Sequence, residues 1–172
     1  MTKKIDKEVK LNLTIENARI YFRNFSGKEG KFNPAGRRNF CVFIDTPKAK
    51  ELQDDGWNIK WLMPRDPDED KQAYLQVTVS FAKLPPKIVT ITANGKTLID
   101  ESTVNILDWA EISNADMIIR PYNYDVNGKR GVKAYLKTAY FTLAEDALEQ
   151  KYQNVPDSAM AHLVDEEDEV PF

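Results

Sequence analysis

Apolar and polar residues alternate with a period of two along much of the chain, the pattern of strands with one buried face. Val9, Leu11, Leu13 and Ile15 fall on one side, and Lys10, Asn12, Thr14 and Glu16 on the other. The alternation resumes at Arg19-Ile20-Tyr21-Phe22-Arg23, so the pattern predicts one long, curved first strand with a bulge or bend inside it. Residues 26–36 contain Gly27, Gly30, Pro34 and Gly36 and read as a loop. Arg38 to Asp45 then returns as a second strand with Phe40, Val42 and Ile44 on one face, which makes a hairpin with a long basic tip.

A short helix follows. Thr46 suits the N-cap, Pro47 the first helical position, Lys48 to Asp55 the body and Gly56 the stop. Residues 56–62 look extended, and further strands fit Tyr74–Phe81, Lys87–Thr92 and Thr97–Ile99, the last two joined by an Asn94-Gly95 turn. A second short helix is expected over Thr103–Ile112, and a terminal one from Ala144 to about Tyr152.

The strands Met117–Tyr124 and Val132–Leu143 flank Asn127-Gly128, two residues that tolerate positive φ and so favour a tight hairpin. A two-residue turn there pairs Tyr122 with Lys133, Arg120 with Tyr135 and Ile118 with Lys137 on one face, and Pro121 with Ala134, Ile119 with Leu136 and Met117 with Thr138 on the other. That register sorts a basic, aromatic face from an apolar one. A slip of one residue would set Arg120 against Leu136 and mix them. Many strands, long loops and few helices predict an all-β fold with minor helices, a five-stranded antiparallel barrel.

Charge adds a division that the pattern does not show. The 172 residues hold 24 Lys and Arg against 27 Asp and Glu, a net −3. Six of the acids lie in residues 157–172, where there is no Lys or Arg, so residues 1–156 carry 24 basic groups against 21 acidic ones. The chain thus divides into a mildly basic domain over 1–155 and an acidic tail over 156–172, and five adjacent carboxylates in that tail predict disorder.

Scarcity excludes several chemistries. The one histidine, His162, lies beside the acidic run, which leaves no basis for core imidazole catalysis or for zinc held by several His or Cys ligands. The lone Cys41, within Phe40-Cys41-Val42-Phe43, reads as a buried strand thiol. Asp66, Asp68, Glu69 and Asp70 share one loop and read as solvated carboxylates; a metal-dependent nuclease would need its carboxylates held from separate elements. No enzyme activity, metal or cofactor is expected. No window is long and apolar enough for a membrane span, so a cytosolic protein is expected.

Interleaved cations and aromatic rings have a distinct use, because exposed rings stack on unpaired bases while neighbouring cations neutralise phosphates. Duplex DNA hides its base faces, so this chemistry favours single strands. The candidate contacts are Arg19, Tyr21, Arg23, Lys28, Lys31, Arg37 and Arg38 on the first hairpin, with Phe25 and Phe32 among them. On the last hairpin they are Arg120, Tyr122, Tyr124, Lys129, Arg130, Lys133, Tyr135 and Lys137. Residues 19–38 hold six basic side chains against Glu29 alone. Trp57 and Trp61 read as core residues. An adaptor whose barrel binds a host or phage replication factor is the other reading, with the basic face incidental.

The chain ends Asp165-Glu166-Glu167-Asp168-Glu169-Val170-Pro171-Phe172, in which an apolar anchor and a free carboxylate suit a small pocket with a basic rim. This end resembles the acidic tip, closing in Pro-Phe, of bacterial single-stranded DNA-binding proteins. The body resembles the OB-fold single-stranded DNA-binding proteins of bacteriophages, through residues 40–45, Leu52 with Gly56-Trp57-Asn58-Ile59-Lys60, Ile119-Arg120-Pro121-Tyr122, and Asn127 to Val132. The resemblance implies sequence-independent binding of single-stranded DNA in replication, recombination or repair, in the host cytoplasm, with no enzymatic activity. It also implies recruitment of replication or repair proteins through residues 165–172. The chain lacks the long Gly/Gln/Pro-rich linker of the bacterial proteins, so the tetramer of that family is not carried over; a homodimer stays open.

Overall fold

The first alternating segment folds as two strands set at an angle, β1 (Leu13–Ile15) and β2 (Arg19–Asn24). The bend falls at Asn17, in the left-handed region with φ 49°, and is fixed from outside: the Asn17 N–H donates to Asp116 and the Ala18 N–H to the Ala115 carbonyl. The computed structural model describes Val9 and residues 11–144. After β2 come β3 (Arg38–Ile44), the helix α1 (Thr46–Asp55), β4 (Ile59–Leu62), β5 (Gln72–Val79), β6 (Lys87–Thr92) and β7 (Gly95–Ile99). A 3-10 turn at Val104–Asp108 precedes β8 (Ile112–Val126) and β9 (Lys129–Leu143).

The fold is mostly β, as the alternation predicts, and forms a single curled open sheet with the path β1-β8-β9-β5-β3-β2. Its two ends, β1 and β2, are consecutive pieces of chain, so the bend at Asn17 brings the sheet round on itself. β4 adds to β5, and the β6–β7 hairpin adds to β9. The described residues thus form nine strands instead of five, and β9 runs parallel to both β5 and β6. Those parallel junctions let one long strand hold two antiparallel hairpins side by side.

The β8–β9 hairpin turns on Asn127 and Gly128, both with positive φ at 54° and 82°. Its register is the expected one from Val126↔Lys129 up to Ile119↔Leu136. Beyond a bulge it shifts by one, so Ile118 faces Thr138 instead of Lys137, and Met117 faces Ala139 instead of Thr138. The reason lies in the packing of β9. Val132, Ala134 and Leu136 are buried, then Ala139 and Phe141, so the extra residue keeps all five in the core.

A second bulge interrupts β2, where Tyr21 faces Cys41 and Asn24 faces Asn39. Phe22 there takes φ 54° and is exposed, which overturns its expected place beside Ile20 on the inner face. The phase change carries Phe25 into the core, fully buried against Phe40 at 5.1 Å between ring centres and edge-on to Phe141 at 5.9 Å. Phe25 is therefore a core residue, and burying its ring contributes on the order of 2–3 kcal/mol.

Asp45, one residue before Thr46, takes the extended N-cap position of α1, and Gly56 closes the helix at φ 116°, its N–H reaching the Leu52 and Gln53 carbonyls. The helix expected over Thr103–Ile112 shrinks to the 3-10 turn, because Ile112 already pairs with Leu143 at the start of β8. Trp57 is buried and Trp61 packs on the core. The terminal helix and the acidic tail lie outside the described residues.

Candidate nucleic-acid interface

On the outward face of the sheet, Tyr21 from β2 stacks on Phe43 from β3 at 4.1 Å, and the Arg19 guanidinium lies 5.8 Å from the centre of the Phe43 ring. Arg19 is also 3.6 Å from the exposed Asp45. Next in the row are the outward residues of β5: Tyr74 faces Phe43, Gln76 faces Cys41 and Thr78 faces Asn39. Thr78 in turn faces Tyr135 across the parallel junction, and Tyr135 faces Arg120. The pleat therefore carries one surface from β2 to β8.

Tyr135 is the centre of the far end. Arg120 lies 5.6 Å and Lys133 5.2 Å from its ring centre, and Tyr122, exposed and opposite Lys133, meets it edge-on at 6.0 Å. Between this cluster and β4 runs a groove of about 290 Å³, lined by Arg37, Asn58, Lys60, Gln76, Thr78, Tyr124, Val132, Lys133 and Ala134. Three cations and no carboxylate line it. Lys60 donates to the Gln76 side-chain oxygen at 3.4 Å. Cys41, directly opposite Gln76 on β3, is buried; burial pushes its thiol up, and the Lys60 cation offsets this only in part.

The loop of residues 26–36 has an internal frame. Asn33 donates to the carbonyls of Lys28, Pro34 and Arg37 and accepts from Asn39, while Asn24 pairs with both the N–H and the carbonyl of Lys28. The frame presents Lys28, Lys31 and an almost fully exposed Phe32, with the Lys31 ammonium 5.4 Å from the Phe32 ring centre. At the opposite hairpin tip Lys129 is exposed, and Arg130 lies 3.2 Å from Asp125. Lys137 is exposed at the β9 bulge.

Two of the expected contacts point elsewhere. Arg23 donates to the Leu107 carbonyl at 2.9 Å and the Ala110 carbonyl at 2.7 Å, which ties β2 to the 3-10 turn. Arg38 shares the alternation face of Phe40 and lies against Phe81 at 5.6 Å and Glu101 at 3.4 Å. Conversely Phe43, Asn58, Lys60, Gln76 and Thr78, none of them among the expected contacts, join the surface. Each has a signal in the chain, because each sits on the alternation face opposite a buried neighbour such as Val42, Ile59 or Val77.

Among the described residues, no group of three or more His, Cys, Asp or Glu could hold a metal ion. In the acidic loop Asp66 accepts from the Asp68 N–H, which folds the loop on itself. No helix among the described residues is long and apolar enough to cross a membrane.

The family model of the phage ssDNA-binding domain matches residues 1–172. The chain belongs to that family. Among solved structures it is similar in fold to the single-stranded DNA-binding protein of bacteriophage Enc34 in complex with ssDNA, with a TM-score of 0.53 at 9% identity, over 78% of this chain and 88% of the other. A second structure of the bacteriophage Enc34 single-stranded DNA-binding protein matches with a TM-score of 0.51 at 9% identity, over 78% of this chain and 82% of the other. No curated protein matches the sequence. Family and fold agree.

Proposed function

We propose that this chain binds single-stranded DNA without regard to sequence, in phage replication, recombination or repair. The observation that carries the reading is the groove of Arg37, Lys60 and Lys133, free of carboxylates along its lining, beside a Tyr135 ring flanked by Arg120, Lys133 and Tyr122. Cations track the phosphates while rings stack on bases, and stacking accepts every base because each has a π-face. The membership of the family supports it, as does the fold shared with a phage protein solved with ssDNA. A gel shift with an oligo-dT of about thirty nucleotides tests it, and no binding at low salt would sink it.

The tail, outside the described residues, completes the proposal. Residues Asp165 to Phe172 recruit replication or repair proteins and, as a −6 segment tethered to a +3 body, compete with DNA for the groove. Removing residues 157–172 should tighten oligo-dT binding and abolish partner recruitment. If truncation changes neither, the tail has no such role.

A further inference from the structure

Gly131 stands in the interior of β9, where a glycine weakens a strand. Its backbone does not require one. Gly27, Gly36, Gly56, Gly95 and Gly128 all take positive φ, and Gly131 does not. What would exclude a side chain is the ring across from it: Gly131 faces Tyr124 directly, and a Cβ built on Gly131 would lie 2.5 Å from the Tyr124 Cζ and 3.0 Å from its Cε1. The end of the phenol ring fills the space that any other residue would use for its Cβ.

We infer that Gly131 is a positioning residue, whose missing side chain lets the Tyr124 ring lie across β9 and form a stacking wall of the groove. Tyr124 lines that groove beside Lys133, two residues along the same face from Gly131, with Lys60 and Arg37 also on the lining. A ring laid over a strand glycine is a known way of covering the gap that glycine leaves in a sheet. Here it also sets an aromatic face beside cations, the pair of groups that single-strand binding needs. The half-buried ring has solvent to swing into, so a Cβ at position 131 displaces the ring and leaves the strand pairing in place.

The inference rests on the groove being the DNA surface, and its test separates the two. Gly131→Ala should weaken oligo-dT binding about fivefold or more, as Tyr124→Ala does, while Gly131→Ala in the Tyr124→Ala background should cost nothing further. Tyr124→Phe, which keeps the ring, should bind close to the parent. In the free protein the Gly131 Hα should show a ring-current shift that Tyr124→Ala removes. Equal losses from Gly131→Ala in both backgrounds, or no loss in either, would overturn the inference. If the parent fails to bind oligo-dT, the groove reading falls, and the Hα shift still reports whether Gly131 seats the ring.

Discussion

Replacing Lys60 and Lys133 together by alanine removes two of the three cations lining the groove. If each neutralises one phosphate, each contributes about 0.7 to the slope of log K against log salt for a single strand, so the double variant should have a slope shallower by about 1.4. Between 50 and 200 mM salt, a fourfold change, the parent should then lose about sevenfold more affinity than the variant. Fluorescence anisotropy of a labelled oligo-dT across that range measures both slopes. Lys48→Ala, on α1 with its ammonium 3.7 Å from Glu51, serves as the control and should keep the parent slope. An unchanged slope in the double variant, or an equal change in the control, would refute phosphate tracking by this groove.

Other outcomes follow from particular contacts. Tyr122→Ala with Tyr135→Ala should weaken oligo-dT binding by roughly 1–3 kcal/mol per base lost, and a total under about 1 kcal/mol, read by titration, would mean that these rings do not stack. Phe25→Ala leaves a hole between Phe40 and Phe141 and should cost about 3–5 kcal/mol in denaturant unfolding. Asn33→Ala removes the frame of the basic loop and should speed amide exchange over residues 28–37 while leaving β8 and β9 protected. The buried Cys41, its thiol pushed up, stays protonated at neutral pH and should alkylate slowly with iodoacetamide, faster only above the ordinary thiol range; Lys60→Ala should slow it more, because the cation that favours the thiolate is gone.

The hairpin surface was legible because a short-range signal fixes it. Asn127-Gly128 sets the turn, and the two faces it sorts are chemically distinct, so Tyr122, Lys133, Arg120 and Tyr135 came together from order alone. The bulge below them was legible in principle, since the apolar phase jumps from Leu136 to Ala139. The bulge in β2 carries no such mark. Phe22 at positive φ is a residue type that rarely sits there, so the phase of Arg23 and Phe25 follows from the tertiary fit to Phe40, Phe141 and the 3-10 turn. Arg38 shares alternation with Phe40, so its place against Phe81 and Glu101 is legible in the chain. The groove itself depends on β4, β5 and β9 meeting, the last two in parallel, and a parallel pairing across more than fifty residues leaves no local trace.

If single-stranded DNA lies along the surface from Tyr21 to Tyr135, backbone NMR of the full chain titrated with oligo-dT shows it most directly. Shifts should concentrate at Tyr21, Phe43, Lys60, Gln76, Thr78, Tyr124, Lys133 and Tyr135, with Leu107 and the 3-10 turn unmoved. Saturable binding with those groove residues silent, and shifts gathered instead around the exposed Phe22 and Trp109, would contradict it.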